Sequence, residues 1–536
     1  MHYIIVGSGS AGATLAARLT EDAANRVTLV EAGPDMRTAD RPLEMVAPNP
    51  SAVIRLEKFV QFCQFPDLLA RRTRRQQPRR YWRGRILGGS SAINGQIAIR
   101  GMLDDFDLWA AAGCDGWSGA DVAPFFNRLE TDLDYGDAPW HGDSGPIPVR
   151  RAPQERWGAV DKAVCAAALG LGYGWADDHN APDATGVSPY AINNTPDERR
   201  VSCADGYLEP IRGRANLEIV TGALVDRLIL EGNRPSAKGV MLAPGNGQEG
   251  RRILGDEVIL CAGACHTPTI LMRSGIGPAD LLADLGIAPV QVLPVGLNFQ
   301  DHPLAGFLLE LKPEARPASP YERHTNITVR YSSGMCGGGR NDMKLMALNQ
   351  MGDSMMRMVT ADENAGAQGV KAIIGATVQQ SFSCGTLRIS SRDPHVDPEI
   401  DENMLGDERD LVRMRDGVRR LMALAASAPI QAIASRITIG FGEEGIDALT
   451  DDDAIDAWLL EQVSDGQHAT GTCRMGPADD PRSVVTPDCR VIGVDRLRVV
   501  DASIMPAIVR ANTHLSTVMI GERMADRIRR EAGATA

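Results

Sequence analysis

A glycine-rich turn near the start of the chain constrains the fold more than any other feature of the sequence. The apolar run Tyr3-Ile4-Ile5-Val6, typical of a buried parallel strand, leads directly into Gly7-Ser8-Gly9-Ser10-Ala11-Gly12, after which apolar residues recur at helical spacing. A second apolar run, residues 27–30, ends at Glu31. This order of strand, glycine turn, helix, strand and acid predicts a βαβ unit that binds a dinucleotide.

The residues of this unit also predict its contacts with a dinucleotide. Glycines let the backbone approach a pyrophosphate at the N-terminus of the helix, and an acid at the end of the second strand can accept hydrogen bonds from ribose hydroxyls. An ordinary structural carboxylate at a strand end is the alternative interpretation of Glu31. The residues predicted to contact the nucleotide are Gly7, Gly9, Ser10, Ala11, Gly12 and Glu31.

Charge and cysteine content argue against several other classes of protein. With 69 acidic and 56 basic residues the formal net charge is −13, which opposes binding to nucleic acid or to an anionic membrane surface. No run of 18 apolar residues occurs, so no membrane-spanning helix is expected, and the strand predicted from residue 3 leaves no room for a signal peptide. The ten cysteines include no CxxC pair and predict reduced thiols in a cytoplasmic protein without a metal site.

Two clusters of like residues each allow two interpretations. A basic segment is either a solvated face paired with nearby carboxylates or a docking surface for an anionic substrate or acceptor. A methionine-rich segment either fills the core or lines an adaptable apolar pocket. The basic residues are Arg71, Arg72, Arg74, Arg75, Arg79, Arg80, Arg83 and Arg85, and the methionines are Met343, Met346, Met351, Met355, Met356 and Met358.

Four further motifs follow the first glycine turn in chain order. Residues 84–95 combine adjacent glycines, two hydroxyls and an amide, which suits a loop close to a polar cofactor. Residues 263–277 run from one glycine to another through Thr-Pro, which predicts the start of a helix at that dipeptide. Residues 295–302 read Val-Gly-Leu-Asn-Phe-Gln-Asp-His, and His468 precedes the last motif, residues 501–512.

In order and spacing these motifs resemble those of the glucose–methanol–choline (GMC) oxidoreductases, a family of FAD enzymes. The resemblance covers essentially the whole chain and is greater to bacterial alcohol oxidases of the family than to its choline dehydrogenases. It implies an α/β fold in which a Rossmann-like FAD-binding domain is interleaved with a substrate domain built on a largely antiparallel sheet. The implied FAD-binding segments are residues 1–150, 206–304 and 461–536, and the implied substrate-domain segments are residues 151–205 and 305–460.

The resemblance also implies which residues contact FAD. Against the flavin ring it places Gly88, Ser91, Asn94, Gly95 and Ile97. Beside the adenine, the phosphates and ribityl chain, and the pyrimidine edge of the ring it places Val225, Asp501 with Ala502, and Thr513, respectively. Some relatives carry a histidine at the position of Ile93 that bonds covalently to the flavin. An alkyl side chain cannot form this bond, so noncovalent FAD is expected.

His468 is the catalytic residue that the resemblance implies. It opens a stretch similar to the family's His-x-x-Gly-Thr-x-x-Met-Gly sequence, in which the histidine faces flavin N5. An ordinary histidine pKa near 6.5 suits a group that takes a proton from an alcohol. The second family position is His or Asn and matches Asn512, 44 residues later, with His514 as the alternative. Gln467 and His514 are expected to contact the substrate.

The implied reaction is oxidation of a primary alcohol to an aldehyde, with the reduced flavin reoxidised by O₂. A dehydrogenase that passes electrons to a quinone or another carrier is the first alternative, and a lyase on the same fold is the second. A plain NAD dehydrogenase would account for residues 7–31 but not for the other motifs. The expected partners are a small-molecule alcohol and O₂ or another acceptor, in a monomer or a homo-oligomer.

Overall fold

The computed structural model describes residues 1–55, 65, 67–244, 250–351, 371–440 and 443–534. A parallel sheet of five strands is built around the first strand, as the α/β prediction requires. Its strands, in spatial order, are Leu497–Val499, Glu257–Leu260, His2–Val6, Arg26–Val30 and Leu217–Val220. The three central strands are almost entirely buried, which explains why they are near-continuous apolar runs.

Helices and a small antiparallel sheet flank the parallel sheet. The first helix, Ser10–Leu19, packs against the last helix, Thr513–Ala534, so the two ends of the chain meet beside the glycine turn. The small antiparallel sheet contains Val225–Glu231, Ser236–Leu242 and Arg252–Leu254. Of the four longer strands between residues 217 and 261, only the middle two therefore form a hairpin, because the outer two join the parallel sheet.

A second, large sheet is antiparallel, as the resemblance implies for the substrate domain. Its strands are Ala434–Ile439, Pro303–Leu311, Lys371–Val378, Met343–Met351, Ile327–Tyr331, Gly186–Pro189 and, at one end, Ser464–Asp465. Helices Glu408–Ala426 and Ala159–Gly170 pack on this sheet. The two sheets draw strands alternately from the chain, which agrees with the proposed interleaving, while the domain limits stay a prediction.

The helix predicted from Thr267-Pro268 begins earlier, at Gly263, and ends at Arg273. A proline inside a helix cannot donate to the carbonyl four residues before it. Here that carbonyl, on Ala264, accepts a hydrogen bond from the Thr472 hydroxyl at 2.7 Å. The missing backbone bond is thus replaced by a side chain from a distant motif, which the local sequence could not indicate.

The remaining elements connect these layers. The other helices are Leu43–Val46, Leu103–Ala111, Gly119–Leu129, Ala279–Asp284, Ala428–Ile433 and Asp452–Gln462, with short 3₁₀ turns between elements. The other strands are Leu69–Arg71, Arg79–Arg80, Thr386–Arg388, Glu399–Asp401, Glu130–Asp132, Ile147–Val149, Ile276–Gly277 and Gln291–Val292. Two of these short strands, Leu69–Arg71 and Arg79–Arg80, lie between the first glycine turn and the second motif. Among the described residues, no helix has both the length and the apolar composition needed to cross a bilayer.

Candidate active site

A cavity of about 510 Å³ is lined by residues of both large sheets and by residues of all five sequence motifs. Every residue predicted to bind cofactor or substrate lines it except Gly12 and Gly88. The predicted residues that it brings together are Gly7, Gly9, Ser10, Ala11, Glu31, Ser91, Asn94, Gly95, Ile97, Val225, Gln467, His468, Asp501, Ala502, Asn512, Thr513 and His514. Residues from positions 7 to 514 therefore share one cavity.

The first glycine turn is built by close backbone contacts. Gly7 has a φ of +98°, and a Cβ atom on it would lie 2.4 Å from the carbonyl oxygen of Cys261. A Cβ atom on Gly12 would lie 1.9 Å from the carbonyl oxygen of Gly7, so Gly12 packs the helix onto the strand instead of lining the cavity. Gly88 is also used internally, because its amide donates to Ser8 Oγ at 3.2 Å.

The turn leaves hydrogen-bond donors for an anion. Helix Ser10–Leu19 has Gly9 as its N-cap, with no side-chain cap and no acidic residue in its first turn. Its first N–H groups and the positive end of the helix dipole are therefore available to a phosphate. Glu31 lines the same end of the cavity, where it accepts hydrogen bonds from the Ser8 hydroxyl at 2.6 Å and the Gly33 amide at 2.8 Å. This donor set and the glycine cradle fit a dinucleotide pyrophosphate.

Asp501 joins the last motif to the helix that begins at Gly263. Its carboxylate accepts hydrogen bonds from the Gly263 amide at 2.9 Å, the Thr267 hydroxyl at 2.6 Å and the Ser503 amide at 2.8 Å. Burial raises the pKa of Asp501, while these hydrogen bonds act in the opposite direction. The carboxylate therefore holds two walls of the cavity together beside the predicted phosphate site.

The loop predicted to contact the flavin ring is held by hydrogen bonds from residues distant in sequence. Ser91 Oγ donates to the Gly88 carbonyl at 2.6 Å and accepts from the Cys203 amide at 2.9 Å. Asn94 Oδ1 accepts from the guanidinium of Arg200 at 2.8 Å. These bonds fix the loop against the cavity without using Ile93, whose side chain also lines the wall.

His468 and His302 form a hydrogen-bonded pair at the other end of the cavity. Their Nδ1 atoms are 2.8 Å apart, and the rings meet edge to face. His302 Nε2 lies 3.0 Å from the carbonyl oxygen of Val509, and His468 Nε2 lies 2.9 Å from Asn512 Nδ2. The predicted catalytic pair, His468 and Asn512, is thus in direct contact.

The Val509 carbonyl fixes the tautomers of both histidines. A carbonyl oxygen can only accept, so His302 Nε2 must carry a proton, and neutral His302 then accepts at Nδ1. His468 must therefore donate from Nδ1. Its Nε2 is left with a lone pair, to which the Asn512 amide donates. The arrangement presents an unprotonated ring nitrogen to the cavity.

The surroundings keep this pair uncharged. Burial, with the nearby charge of Lys344, lowers the pKa of His302 to about 3. Burial also holds the pKa of His468 well below 6.5, with further lowering from His302, Lys344 and Arg83. The expectation of an ordinary pKa near 6.5 for His468 is therefore wrong, because its pKa is lowered, chiefly by burial.

Asp301 anchors the backbone of the pair from beneath. Its carboxylate accepts hydrogen bonds from the amides of His302 at 2.6 Å and His468 at 2.9 Å, and from the Tyr81 hydroxyl. Burial and the nearby charge of Asp465 raise the pKa of Asp301 to about 7. Sequence reasoning assigned no role to Asp301 or His302, although both close the fourth motif.

Gln467 and His514, which were expected to contact the substrate, line the cavity, but their side chains are bonded to other residues of the protein. Gln467 has a φ of +62°, and its side chain accepts from the Trp82 amide at 2.7 Å and donates to Asp465. His514 Nδ1 lies 2.9 Å from Ser10 Oγ, at the start of the first helix, which puts this histidine at the nucleotide turn. Within the described chain, buried His514 Nε2 and Asn512 Oδ1 have no hydrogen-bond partner.

Several residues of the basic segment form ion pairs, which favours the first interpretation of it. The pairs are Arg71 with Asp401, Arg72 with Asp465 and Arg75 with Glu461. Arg83 instead lines the cavity and donates to the Gln467 carbonyl at 3.0 Å. In the methionine-rich segment, Met343 is buried and Met346 lines the cavity, while Met355, Met356 and Met358 lie outside the described residues.

Two family models match the chain, and both carry the description GMC oxidoreductase. The N-terminal one matches residues 1–304 and the C-terminal one residues 381–521. Together they include all five sequence motifs.

Characterised relatives match the chain over nearly its full length. The 5-(hydroxymethyl)furfural oxidase of Methylovorus sp. (strain MP688) is 35% identical over 552 residues, covering 99% of each chain. The oxygen-dependent choline dehydrogenase of Yersinia pestis bv. Antiqua (strain Antiqua) is 36% identical over 550 residues, covering 98% of this chain and 93% of the relative.

Solved structures show the same fold. The crystal structure of pyridoxine 4-oxidase from Mesorbium loti matches with a TM-score of 0.86 and 30% identity, covering 99% of both chains. The crystal structure of formate oxidase matches with the same TM-score at 23% identity, which supports the fold alone.

Proposed function

The chain belongs to the GMC oxidoreductase family, and on that premise we propose that it oxidises a primary alcohol to an aldehyde with FAD, and that O₂ reoxidises the flavin. Family membership makes it an oxidoreductase that acts on alcohol groups. The single observation that carries the finer proposal is the lone pair of His468 Nε2, held in the cavity beside Asn512.

FAD is proposed to be held noncovalently along the cavity. Gly7, Gly9 and the first turn of helix Ser10–Leu19 would bind its pyrophosphate, and His514 would contribute its free Nε2 at the same turn. The loop containing Ser91 and Asn94 would lie along the ring. When bound, FAD supplies a hydride acceptor. Ile93 in the wall offers only an alkyl group, which supports noncovalent binding.

His468 is proposed as the general base. Its Nε2 takes the proton of the alcohol hydroxyl while the carbon-bound hydrogen departs, and its Nδ1–H stays bonded to His302 throughout. Because His468 is already neutral, it needs no deprotonation before it accepts the proton. Because burial lowers its pKa, the imidazolium then releases the proton readily once the aldehyde has formed.

Asn512 is proposed to orient the alcohol and not to accept its proton. Its Nδ2 group donates to His468 Nε2 here, and an alcohol hydroxyl that takes this place would donate to Nε2 instead. The displaced amide would then be free to donate to the alcohol oxygen. An amide cannot act as a base at ordinary pH, so His468 is left as the only proton acceptor of the pair.

Anaerobic flavin reduction tests the proposal. Purified yellow protein is mixed with a panel of primary alcohols without oxygen, its spectrum is followed, and air is then admitted. We expect bleaching by at least one alcohol and rapid return of the colour in air. Bleaching that persists in air until a quinone is added would favour a dehydrogenase, and the absence of bleaching by every alcohol would contradict the proposal.

The cofactor linkage has a separate test. Acid precipitation should leave the flavin in the supernatant, because the alkyl side chain of Ile93 cannot bond covalently to it. A yellow pellet that retains its flavin after washing would contradict noncovalent binding.

A further inference from the structure

A lysine in the wall of the cavity has no part in the reaction proposed above. Lys344 is 5% exposed, and it lines the cavity. Within the part of the chain that the structure describes, its Nζ has no carboxylate within 4.0 Å and no hydrogen-bond partner. The Nζ atom lies over the ring of Tyr190, 5.9 Å from its centroid.

The register of the large sheet connects Lys344 to the catalytic histidine. Lys344 pairs with Thr377, Thr377 pairs with Leu304, and Leu304 pairs with Ser464, four residues before His468. Directly paired residues of antiparallel strands point to the same face, and here that face lines the cavity. Two strand spacings, about 10 Å, separate the backbones at Lys344 and Leu304. A small rigid molecule can therefore reach His468 and Lys344 at once.

A second cation lies next to Lys344 in the sheet, although it does not line the cavity. Arg330 pairs with Lys344 on the neighbouring strand. Its guanidinium is occupied, since it donates to the carbonyl oxygens of His179 and Ala184. Burial, with repulsion from Arg330, lowers the pKa of Lys344 to about 8, which leaves the ammonium mostly charged at neutral pH.

The carboxylates that line the cavity are already engaged elsewhere. Glu31 is bonded to Ser8, Asp501 to Thr267, and Asp465 to Arg72. These groups therefore leave the charge of Lys344 uncompensated. A buried ammonium without a counter-ion is unfavourable. A ligand that brings a negative charge to Lys344 should therefore bind more tightly than a neutral or cationic ligand of the same shape.

We propose that Lys344 binds a carboxylate of the substrate, so that the alcohol oxidised is an anionic hydroxymethyl compound with a short rigid spacer between its two groups. This inference rests on the alcohol oxidation proposed above. The carboxylate is a spectator: the C–H and O–H bonds of the alcohol break, the proton goes to His468 and the hydride to FAD, and an aldehyde that still bears the carboxylate leaves. A substrate with a quaternary ammonium, such as choline, would be repelled.

Binding of non-oxidisable ligands tests the lysine independently of turnover. Benzoate and the neutral benzamide are titrated into the oxidised holoenzyme, and the flavin spectrum reports the Kd of each. We expect wild type to bind benzoate about 10- to 100-fold more tightly, as for a hydrogen bond between charged groups. Lys344→Met should remove this preference, Lys344→Arg should keep most of it, and Lys371→Met, which changes a lysine of the same sheet outside the cavity, should match wild type.

Several outcomes would overturn the proposal. Equal affinity of the wild-type protein for benzoate and benzamide would contradict it, and this measurement needs no variant, so it stands even if Lys344→Met fails to fold. A folded Lys344→Met protein that keeps the benzoate preference would contradict it as well. If that variant binds benzoate normally but its reduced flavin reacts more slowly with O₂, the lysine serves the acceptor step instead.

Turnover separates this inference from the proposed function. The kcat/KM for 4-(hydroxymethyl)benzoate should exceed that for 4-(hydroxymethyl)benzamide by about 10-fold or more in wild type and not in Lys344→Met. Oxidation of both alcohols with equal kcat/KM would contradict only the proposal that Lys344 binds the carboxylate. If neither alcohol is oxidised but benzoate is still preferred in the titration, the carboxylate site is retained and the proposed alcohol oxidation is contradicted.

Discussion

Two clusters in this protein each surround a histidine with partners at both ring nitrogens, yet one histidine is neutral and the other is protonated. In the cavity, His468 lies between His302 and Asn512. Away from the cavity, buried His141 lies between carboxylates: Glu130 is 2.5 Å from Nδ1 and Asp178 is 2.9 Å from Nε2. Carboxylates can only accept when ionised, so both nitrogens of His141 must be protonated.

The surroundings of His141 agree with a permanent cation. Burial alone would lower its pKa, but the hydrogen bonds to Asp178 and Glu130 outweigh burial and raise it. Three buried carboxylates in the cluster, those of Glu130, Asp132 and Asp178, face two guanidinium groups and this imidazolium, so these buried charges balance when His141 is protonated. The guanidinium groups belong to Arg100 and Arg151.

The comparison teaches that partners, more than burial, decide what a histidine can do here. A neutral histidine with a free lone pair can accept a proton from a substrate, whereas a histidine locked between carboxylates can only hold a structure together. The same residue type is thus proposed to take part in the chemistry in one region and to stabilise the fold in the other. Each of the following changes probes one side of that contrast.

The largest effect is expected from His468→Ala. Loss of the proton acceptor should slow anaerobic flavin reduction by about 10²- to 10⁴-fold, with little change in substrate affinity, because the lost interaction acts on the transition state. Stopped-flow reduction by a good alcohol measures it. His514→Ala is the matched control, compared at equal FAD content because His514 is proposed to contact the cofactor. An FAD-loaded His514→Ala protein that is inactive, beside a His468→Ala protein within threefold of wild type, would show that the wrong histidine was assigned.

His141→Ala should instead act on stability. Removing one member of a buried ion cluster costs about 3–5 kcal/mol of unfolding free energy, while flavin reduction by the folded protein should stay within a few fold of wild type. Denaturant titration of the holoenzyme measures the first and stopped flow the second. A stable variant with impaired reduction would mean that His141 reaches the chemistry.

The contribution of His141 should also depend on pH with a defined sign. Its folded-state pKa is raised above the unfolded value near 6.5, so its stabilisation is complete below that pH and is lost as pH rises through the folded pKa. The gap in denaturation midpoint between wild type and His141→Gln should narrow from pH 6 to pH 9. A gap that widens with pH would contradict a protonated His141.

Asn512→Asp would make the cavity resemble the His141 cluster. A carboxylate beside Nε2 favours the imidazolium and should raise the pKa of His468, so flavin reduction should become slower than wild type by about 10-fold or more at pH 6 and recover at higher pH. Asn512→Ala, which loses one hydrogen bond and adds no charge, should be milder and show no new pH dependence. The same dependence of the reduction rate on pH in both variants would contradict the claim that a charge at position 512 changes the pKa of His468.

The smallest effect is expected at His302, which acts through His468. His302→Phe removes the acceptor for Nδ1–H and should slow reduction about five- to tenfold, the worth of one neutral hydrogen bond. His302→Gln should recover much of the rate, because its amide can accept from His468 and donate to the Val509 carbonyl. Equal rates in the two variants would reduce His302 to a packing residue.

The parts of this account that depend on local sequence could be predicted, and the parts that depend on register could not. The turn from Gly7 to Glu31 is a short segment whose residues predict its structure directly, and the resemblance to the family implied the roles of His468 and Asn512. The tautomer of His468, in contrast, depends on Val509, and the position of Lys344 depends on pairing with strands Lys371–Val378 and Pro303–Leu311. Such pairings are set by long-range packing, which no single motif encodes.

His514 illustrates the same limit within a correctly recognised motif. It stands two residues from Asn512, so proximity in sequence favoured a place beside the substrate. The N-terminal turn of helix Thr513–Ala534 separates the two side chains, however, and His514 meets Ser10 while Asn512 meets His468. Asn512 directly precedes this helix, whereas His514 lies in its first turn, so the two side chains point in different directions.

The claim that His468 is a neutral base before substrate binds is tested most directly by the pH dependence of flavin reduction in wild type. The rate constant at saturating alcohol is measured anaerobically by stopped flow from about pH 5.5 to 8, the range in which an ordinary histidine titrates. Because burial and cationic neighbours hold the pKa of His468 well below 6.5, the rate should stay constant across this range. A rate that falls about tenfold per pH unit below a pKa near 6.5, and does not do so in His468→Ala, would show that His468 is protonated there and would contradict the account.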